Sequence, residues 1–275
     1  MKILYICDGF PPAVAGGAGT VAQQLAQAMV ARGHEVYILT TINDPTQAGI
    51  QVIDRMTIKR VCISNTGLLR FWRGLYHRSA VRIASQYIAV VQPDIVHAHT
   101  LNGIWSWWVL FAGRTYTKRI FMTMHDTASF AYSRIMYLAD HSGFMPAAPP
   151  DYRMTFLRRL RQARWKFVPF REIIIWLILW RVGAVIIAVS DAVREALRQN
   201  GIRATVRIYN GVDMKAAVVH ASAVTAFRRA HNLIDHPVIL FGGRIMGSKG
   251  IDQLFAVLPF VIARVPKAIL VIIGD

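Results

Sequence analysis

The sequence is short of cysteine and of acid. Two cysteines, Cys7 and Cys62, stand in 275 residues, which excludes a disulfide scaffold. Cys7 sits in an apolar run and reads as a core thiol, which fits a reducing cytoplasm. Asp and Glu number 15 against 32 Lys and Arg, a net charge of +17. That excess implies a polyanionic partner, nucleic acid or an anionic membrane face, and says nothing about fold. Charged residues are 17% of the chain against 54% hydrophobic, which excludes a disordered polymer. No window holds the roughly 18 uninterrupted apolar residues of a spanning helix. The nearest, 173–180, is stopped by Arg181; it is apolar all round and reads as buried core. Residues 1–7 look like a strand and lack the cleavage site of a secretory signal.

What is present is alternation. Strand-like runs at 2–7, 35–40, 95–98, 119–124, 184–189 and 204–208 alternate with helix-like runs at 19–32, 79–91, 103–113, 156–167, 172–181 and 191–200. Residues 51–54 and 57–64 read as a strand pair. The pattern restarts at 238–241, with a helix over 250–265 and a strand over 268–273. Continuous apolar strands between helices predict an α/β fold with a parallel sheet covered on both faces. Ligands of such sheets bind beyond the carboxyl ends of the strands. The composition places a first domain at 1–213, a linker at 214–236 and a second domain at 237–275. The last is far below the size of an independent α/β domain, so the chain reads as a piece of something longer.

Six motifs stand at predicted strand ends. Gly16-Gly17-Ala18-Gly19-Thr20 opens the first helix, where small residues admit a ligand and free N–H groups suit a phosphate or sugar. Gly17 to Ala22 also spells G-x-G-x-x-A, which keeps a dinucleotide reading open. Against it, the nine residues Asp8 to Gly16 separate strand from fingerprint, with Pro11 and Pro12 among them. His97-Ala98-His99 puts two rings on one side of a strand, but no nearby Cys or Glu completes a metal set and D-x-D is absent. A strand-end His of this kind reads as a satisfied polar residue. His125-Asp126 suits a hydrogen bond to a sugar hydroxyl, or a base near neutrality. Ser190-Asp191 reads as a helix N-cap. Asn210-Gly211 is a turn, or part of the wall of a cleft. Gly242-Gly243-Arg244 with Lys249-Gly250 sets two cations and glycines between a strand and a helix, a diphosphate cradle.

With these motifs in order, the chain resembles the retaining glycosyltransferases of family 4. The further matching stretches are Phe10-Pro11-Pro12, Ala31-Arg32-Gly33-His34-Glu35-Val36, Pro93-Asp94-Ile95-Val96, Ala188-Val189-Ser190-Asp191 and Asn210-Gly211-Val212-Asp213. The resemblance implies a GT-B fold: a Rossmann-like N-terminal domain for the acceptor and the beginning of a second Rossmann-like domain for a nucleotide-diphosphate sugar. It implies no metal and no cofactor beyond that donor. Gly16, Gly17, Asn210, Gly243, Arg244 and Lys249 would meet the donor. His125 would hydrogen-bond the donor sugar, and Arg244 and Lys249 would neutralise the departing diphosphate. The family's E-x7-E segment lies beyond residue 275, so this chain alone is expected to be inactive. The rival readings are a non-catalytic binding domain of the same fold and an NAD-dependent oxidoreductase. Acceptor choice is expected to lie in 133–155.

The charge is uneven. Residues 152–181 hold eight cations and one acid, and 68–82 hold four arginines and no acid. Both stretches interleave aromatics, as in segments that lie on an anionic membrane surface. No zinc site or RNP pattern is present, so nucleic acid is not the expected partner. The reading is a cytoplasmic transferase, peripheral at the inner face of the cell membrane, acting on a glycan or lipid-linked acceptor.

Overall fold

The computed structural model describes every residue except 14–15, 64–66, 100, 102–103, 134–149, 213–218 and 275. The chain divides into two units, Met1–Gly211 and Val212–Asp275. In the first, β1 (Lys2–Cys7), α1 (Gly17–Ala31), β2 (Glu35–Thr41), β3 (Gly49–Ile53) and β4 (Met56–Val61) come first. Next are α2 (Arg70–Leu75), α3 (Arg78–Val91), β5 (Ile95–His99), α4 (Val109–Arg114) and β6 (Ile120–Met124). The unit ends with α5 (Phe156–Ala163), α6 (Arg171–Val182), β7 (Val185–Ala188), α7 (Asp191–Gln199) and β8 (Val206–Arg207).

These strands form one eight-stranded sheet in the order β3-β4-β2-β1-β5-β6-β7-β8. Every pair is parallel except β3 with β4, a hairpin whose turn residues Asp54 and Arg55 both take positive φ. The central strand is buried on both sides because alternate residues serve two cores. Ile3, Tyr5 and Cys7 pack with Ala22, Ala26 and Val30 of α1. Leu4 and Ile6 join the other core with Ala84 and Ile88 of α3, Leu110 of α4 and Ile178 of α6.

Three sequence expectations change. Residues 103–113 do not form one helix: α4 starts at Val109. Further upstream the backbone donors are claimed elsewhere, Trp107 N by Gly74 O at 2.8 Å and Trp108 N by Leu75 O at 3.2 Å. The helix expected over 156–167 stops at Ala163, where Arg164 takes φ 51° and a 3-10 turn follows. The run 173–180 is only half core. Ile175, Ile178 and Leu179 are buried, while Ile173, Trp176, Leu177 and Trp180 form an exposed stripe at i, i+3, i+4 and i+7. Arg171, at the start of α6, is 3% exposed. Its guanidinium donates to the carbonyls of Ala128 and Ala131 and lies over the rings of Phe71 and Tyr132. It therefore ties α6 and α2 to the loop after β6.

The second unit contains α8 (Ala221–Ala230), β9 (Val238–Gly242), α9 (Ile251–Arg264) and β10 (Ile269–Ile273). α8 lies within the stretch 214–236. β9 and β10 pair in parallel. Leu233 and Ile251 are buried, but Leu240, Phe255, Val257, Phe260 and Ile273 stay exposed. Stability follows buried apolar area, so hydrogen exchange should separate the units. Amides of β9 and β10 should exchange well before those of β1 and β5; equal protection would contradict this account of the second unit.

Candidate functional site

The chain leaves β1 on one side through α1 to β2, and later returns to its other side at β5. The crevice beyond β1 and β5 is therefore the switch point of the sheet, where ligands of open parallel sheets bind. Asp8, the first residue after β1, accepts the N–H groups of Ile104 and Trp105 through Oδ1, both at 3.0 Å. Trp105 Nε1 donates to Cys7 O at 3.0 Å. Loop 104–108 is thus fixed to the end of β1 by residues nearly a hundred positions away in sequence.

Of the glycines at the head of α1, Gly19 is the one that packing requires. A Cβ there would lie 2.6 Å from Gly9 O, so a side chain would push the helix off the loop. Gly16 and Gly17 are exposed, and among the described residues nothing lies within 4 Å of where a Cβ would stand on either. No side chain caps this helix, so its first N–H groups are not held by a capping residue.

Register builds a polar row beside them. Cys7 pairs with His99 and His99 with Thr123, so these side chains share one face of the sheet. His97 Nε2 lies 2.8 Å from Thr123 Oγ1. His99 Nδ1 and the Nε2 of His125, just past β6, share a hydrogen bond at 2.9 Å with the rings stacked. Burial pushes His97 and His125 down to about 4 and holds His99 well below the usual histidine range. All three are therefore neutral near pH 7.

Proton placement follows from what would be stranded. If His125 donated, the proton of His99 would sit on Nε2, which is buried and has no partner among the described residues. A stranded buried N–H costs about 1–3 kcal/mol, and stranded acceptors are tolerated better than stranded donors. His99 is therefore assigned as the Nδ1–H donor. Neutral His125, partly exposed, then carries its own proton on Nδ1. His99, read from the sequence as a merely satisfied residue, sets the state of His125.

The remaining sequence-predicted residues are scattered. Ser190 Oγ accepts from Val193 N at 3.1 Å, the expected N-cap. Asp191 binds Arg207 and Tyr209 on β8 and just after it. Asn210 is exposed past β8, at the sheet edge four strand spacings from β1, or ~19 Å; the structure does not bring it to Gly16 and Gly17. In the second unit, Gly243 follows β9 with φ 144°, a conformation that favours glycine. A Cβ on Gly274 would lie 1.8 Å from Gly243 O, so the loop after β10 closes tightly on this turn. Arg244 and Lys249 are exposed in the same β9–α9 connection. Among the described residues no group of three or more His, Cys, Asp or Glu is placed to hold a metal. Most of 133–155, the expected acceptor segment, lies outside the described residues.

The basic stretches divide by role. Of the eight cations in 152–181, Arg171 is buried and Arg159 is ion-paired with Glu172 at 2.5 Å. Arg153, Arg158, Arg161, Arg164 and Arg181 are exposed, beside Phe156, Leu157, Phe170 and Trp165, the last 89% exposed. The stripe of α6 adjoins them. α2, which packs on α6, exposes Leu68 and Leu69 from its lead-in, and Trp72. No helix among the described residues is long and apolar enough to cross a membrane.

Comparison with known proteins places this arrangement. The sequence model for Glycosyltransferase Family 4 matches residues 15–216. A search of curated proteins finds no match. Sucrose-phosphate synthase from Thermosynechococcus elongatus aligns with 100% of this chain and 62% of its own, at 21% identity and TM-score 0.67. An alpha,alpha-trehalose 6-phosphate synthase from Burkholderia multivorans aligns with 100% of this chain and 63% of its own, at 14% identity and TM-score 0.55. An E. coli trehalose-6-phosphate protein solved with UDP-2-fluoro glucose bound aligns over 100% and 65%, at 10% identity and TM-score 0.53. This chain therefore spans less than two thirds of the length of each, and at these identities the likeness is one of fold. Since the family match covers most of the chain, the protein belongs to glycosyltransferase family 4, with a Rossmann-like fold of GT-B type.

Proposed function

We propose that this protein transfers a sugar from a nucleotide-diphosphate donor to a hydroxyl acceptor with retention of configuration. The observation that carries the reading is the neutral His99–His125 pair at the switch point, on the same sheet end as the open glycine turn of α1. A neutral His125 with its proton on Nδ1 is a hydrogen-bond donor suited to a sugar oxygen, and it stays neutral through the physiological range. Gly16 and Gly17 let the backbone approach the donor. In the second unit, the Gly243 turn with Arg244 and Lys249 supplies two cations for a diphosphate, and Asn210 is assigned to the donor side as well. One structural neighbour is described with UDP-2-fluoro glucose bound, which supports a nucleotide-sugar donor.

In the step, the acceptor oxygen forms a bond to the anomeric carbon as the bond from that carbon to the diphosphate oxygen breaks. The acceptor proton passes to the departing diphosphate on the same face. Arg244 and Lys249 stabilise the charge that develops there, the term expected to dominate catalysis, and no metal is assigned to this task. Arg244→Ala or Lys249→Ala should each remove a charge-assisted contact of about 1.5–3 kcal/mol, a ten-fold or greater loss of nucleotide-diphosphate affinity by calorimetry. Unchanged affinity in both would remove them from the site. Residues 1–275 alone are expected to turn over nucleotide-sugar poorly, because the second unit buries so little of its apolar surface. Robust turnover by the purified chain would refute this.

The location proposed is the cytoplasmic membrane surface, with a polysaccharide precursor or lipid-linked glycan as acceptor. Its support is the exposed basic and aromatic surface of α2, α5 and α6, since tryptophan and arginine together suit an anionic lipid interface. Co-sedimentation should show a preference for vesicles with phosphatidylglycerol over phosphatidylcholine alone, reduced in a Trp165→Ala/Trp180→Ala variant. Equal binding to both vesicles would end the idea.

A further inference from the structure

The row at the carboxyl end of the first sheet holds two more polar side chains, Thr40 and Arg60, which the proposed reaction leaves unused. Cys7 pairs with Thr40 and Thr40 with Arg60 of β4. Arg60 therefore projects from the same face as His99, three strand spacings or ~14 Å away. It is 4% exposed. Its Nη1 donates to Gln51 Oε1 at 2.7 Å, and its buried Nε has no partner among the described residues. No carboxylate pairs with it among those residues. A buried guanidinium without an anion is costly, and such groups are normally paired. Beside it lies a cavity of about 280 Å³ lined by Pro12, Ala13, Gln47, Gln51 and Arg60. The cavity sits where β4 ends and where the chain leaves β1, at the ligand-binding end of the sheet.

We propose that this cavity receives an oxyanion, a phosphate monoester or a carboxylate, carried by the sugar acceptor, and that Arg60 is its counter-ion. This rests on the transferase reading above and names the chemistry of its acceptor. The guanidinium fork matches an oxyanion with two parallel hydrogen bonds. Gln51 takes one N–H of Arg60 through its carbonyl, which orients the fork and leaves the amide NH₂ of Gln51 as a donor at the cavity. The buried charge is thus explained as a group waiting for its partner, where a purely structural arginine would have found one in the fold.

The test is thermal unfolding of the 275-residue chain with inorganic phosphate, glucose 6-phosphate, glucuronate or glucose, at constant ionic strength. The work is done in an Arg244→Ala/Lys249→Ala background, so that phosphate held in the second unit does not contribute. Glucose 6-phosphate or glucuronate should raise Tm and glucose should not; which of the two acts identifies the charged group. Arg60→Met should abolish the shift while its own ligand-free Tm is equal or higher, because an unpaired buried charge is gone. Arg60→Lys should retain a weaker shift. If Arg60→Met does not fold, Gln51→Leu asks the same question from the cavity wall and should reduce the shift. Equal shifts in parent and Arg60→Met, or no shift with either anionic sugar, would overturn the proposal. Nucleotide-diphosphate binding is measured separately with Arg244 and Lys249 intact. If it is absent while the anionic sugar binds, the transferase reading fails and the pocket stands.

Discussion

The constraint on which this structure depends is that β1 is buried on both faces. Between Lys2 and Cys7 the only side chain of β1 with a polar oxygen is Tyr5, and most polar groups collect where the strand ends. Parallel register then carries that ending across the sheet. Arg60, Thr40, Cys7, His99 and Thr123 occupy one row on one face. Single-residue changes of register would turn every member of the row to the other core. The apolar pattern that fixes register is thus also what assembles the site.

The electrostatics of the row are simple once burial is considered. Desolvation keeps the three histidines uncharged, so their hydrogen bonds are directional but carry no net charge. Arg60 is then the row's one permanent charge, separated from the His99–His125 pair by the width of β2 and β1. A sugar placed over β1 would meet a neutral donor at one end and a cation at the other. That asymmetry orients a ligand with one charged and one uncharged end, which a uniformly basic cleft would not do.

Much of this was legible in the sequence, and the failures are instructive. The alternation of apolar runs gave the order of strands and helices, and it put His125 just past a strand and Ser190 at a helix N-cap. What was hidden depends on partners distant in the chain. Asp8 looked like an ordinary loop residue because the N–H groups it holds, on Ile104 and Trp105, lie far away in sequence. The helix expected over 103–113 failed for a similar reason, since Trp107 N and Trp108 N donate to Gly74 and Leu75 some thirty residues earlier. Arg171 was counted with the surface cations, since no local pattern distinguishes an arginine that points inward at a helix start. Arg60 stood in a strand-like run without a motif. The stripe of α6 was read as core because a helix apolar all round does not reveal which side finds cover.

Arg171 also joins the two halves of the first unit's surface. The His99 row faces α1, whereas α6 packs on the opposite core with α2 and α4. The exposed aromatic stripe and the polar row are therefore on opposite faces of the sheet. The loop after β6 is common to both: it begins at His125, and Arg171 holds it by the carbonyls of Ala128 and Ala131. Desolvation lowers this guanidinium to about 10, so it remains charged at neutral pH and its hold on the loop does not titrate there. One buried side chain thus belongs both to α6 and to the loop that begins at His125.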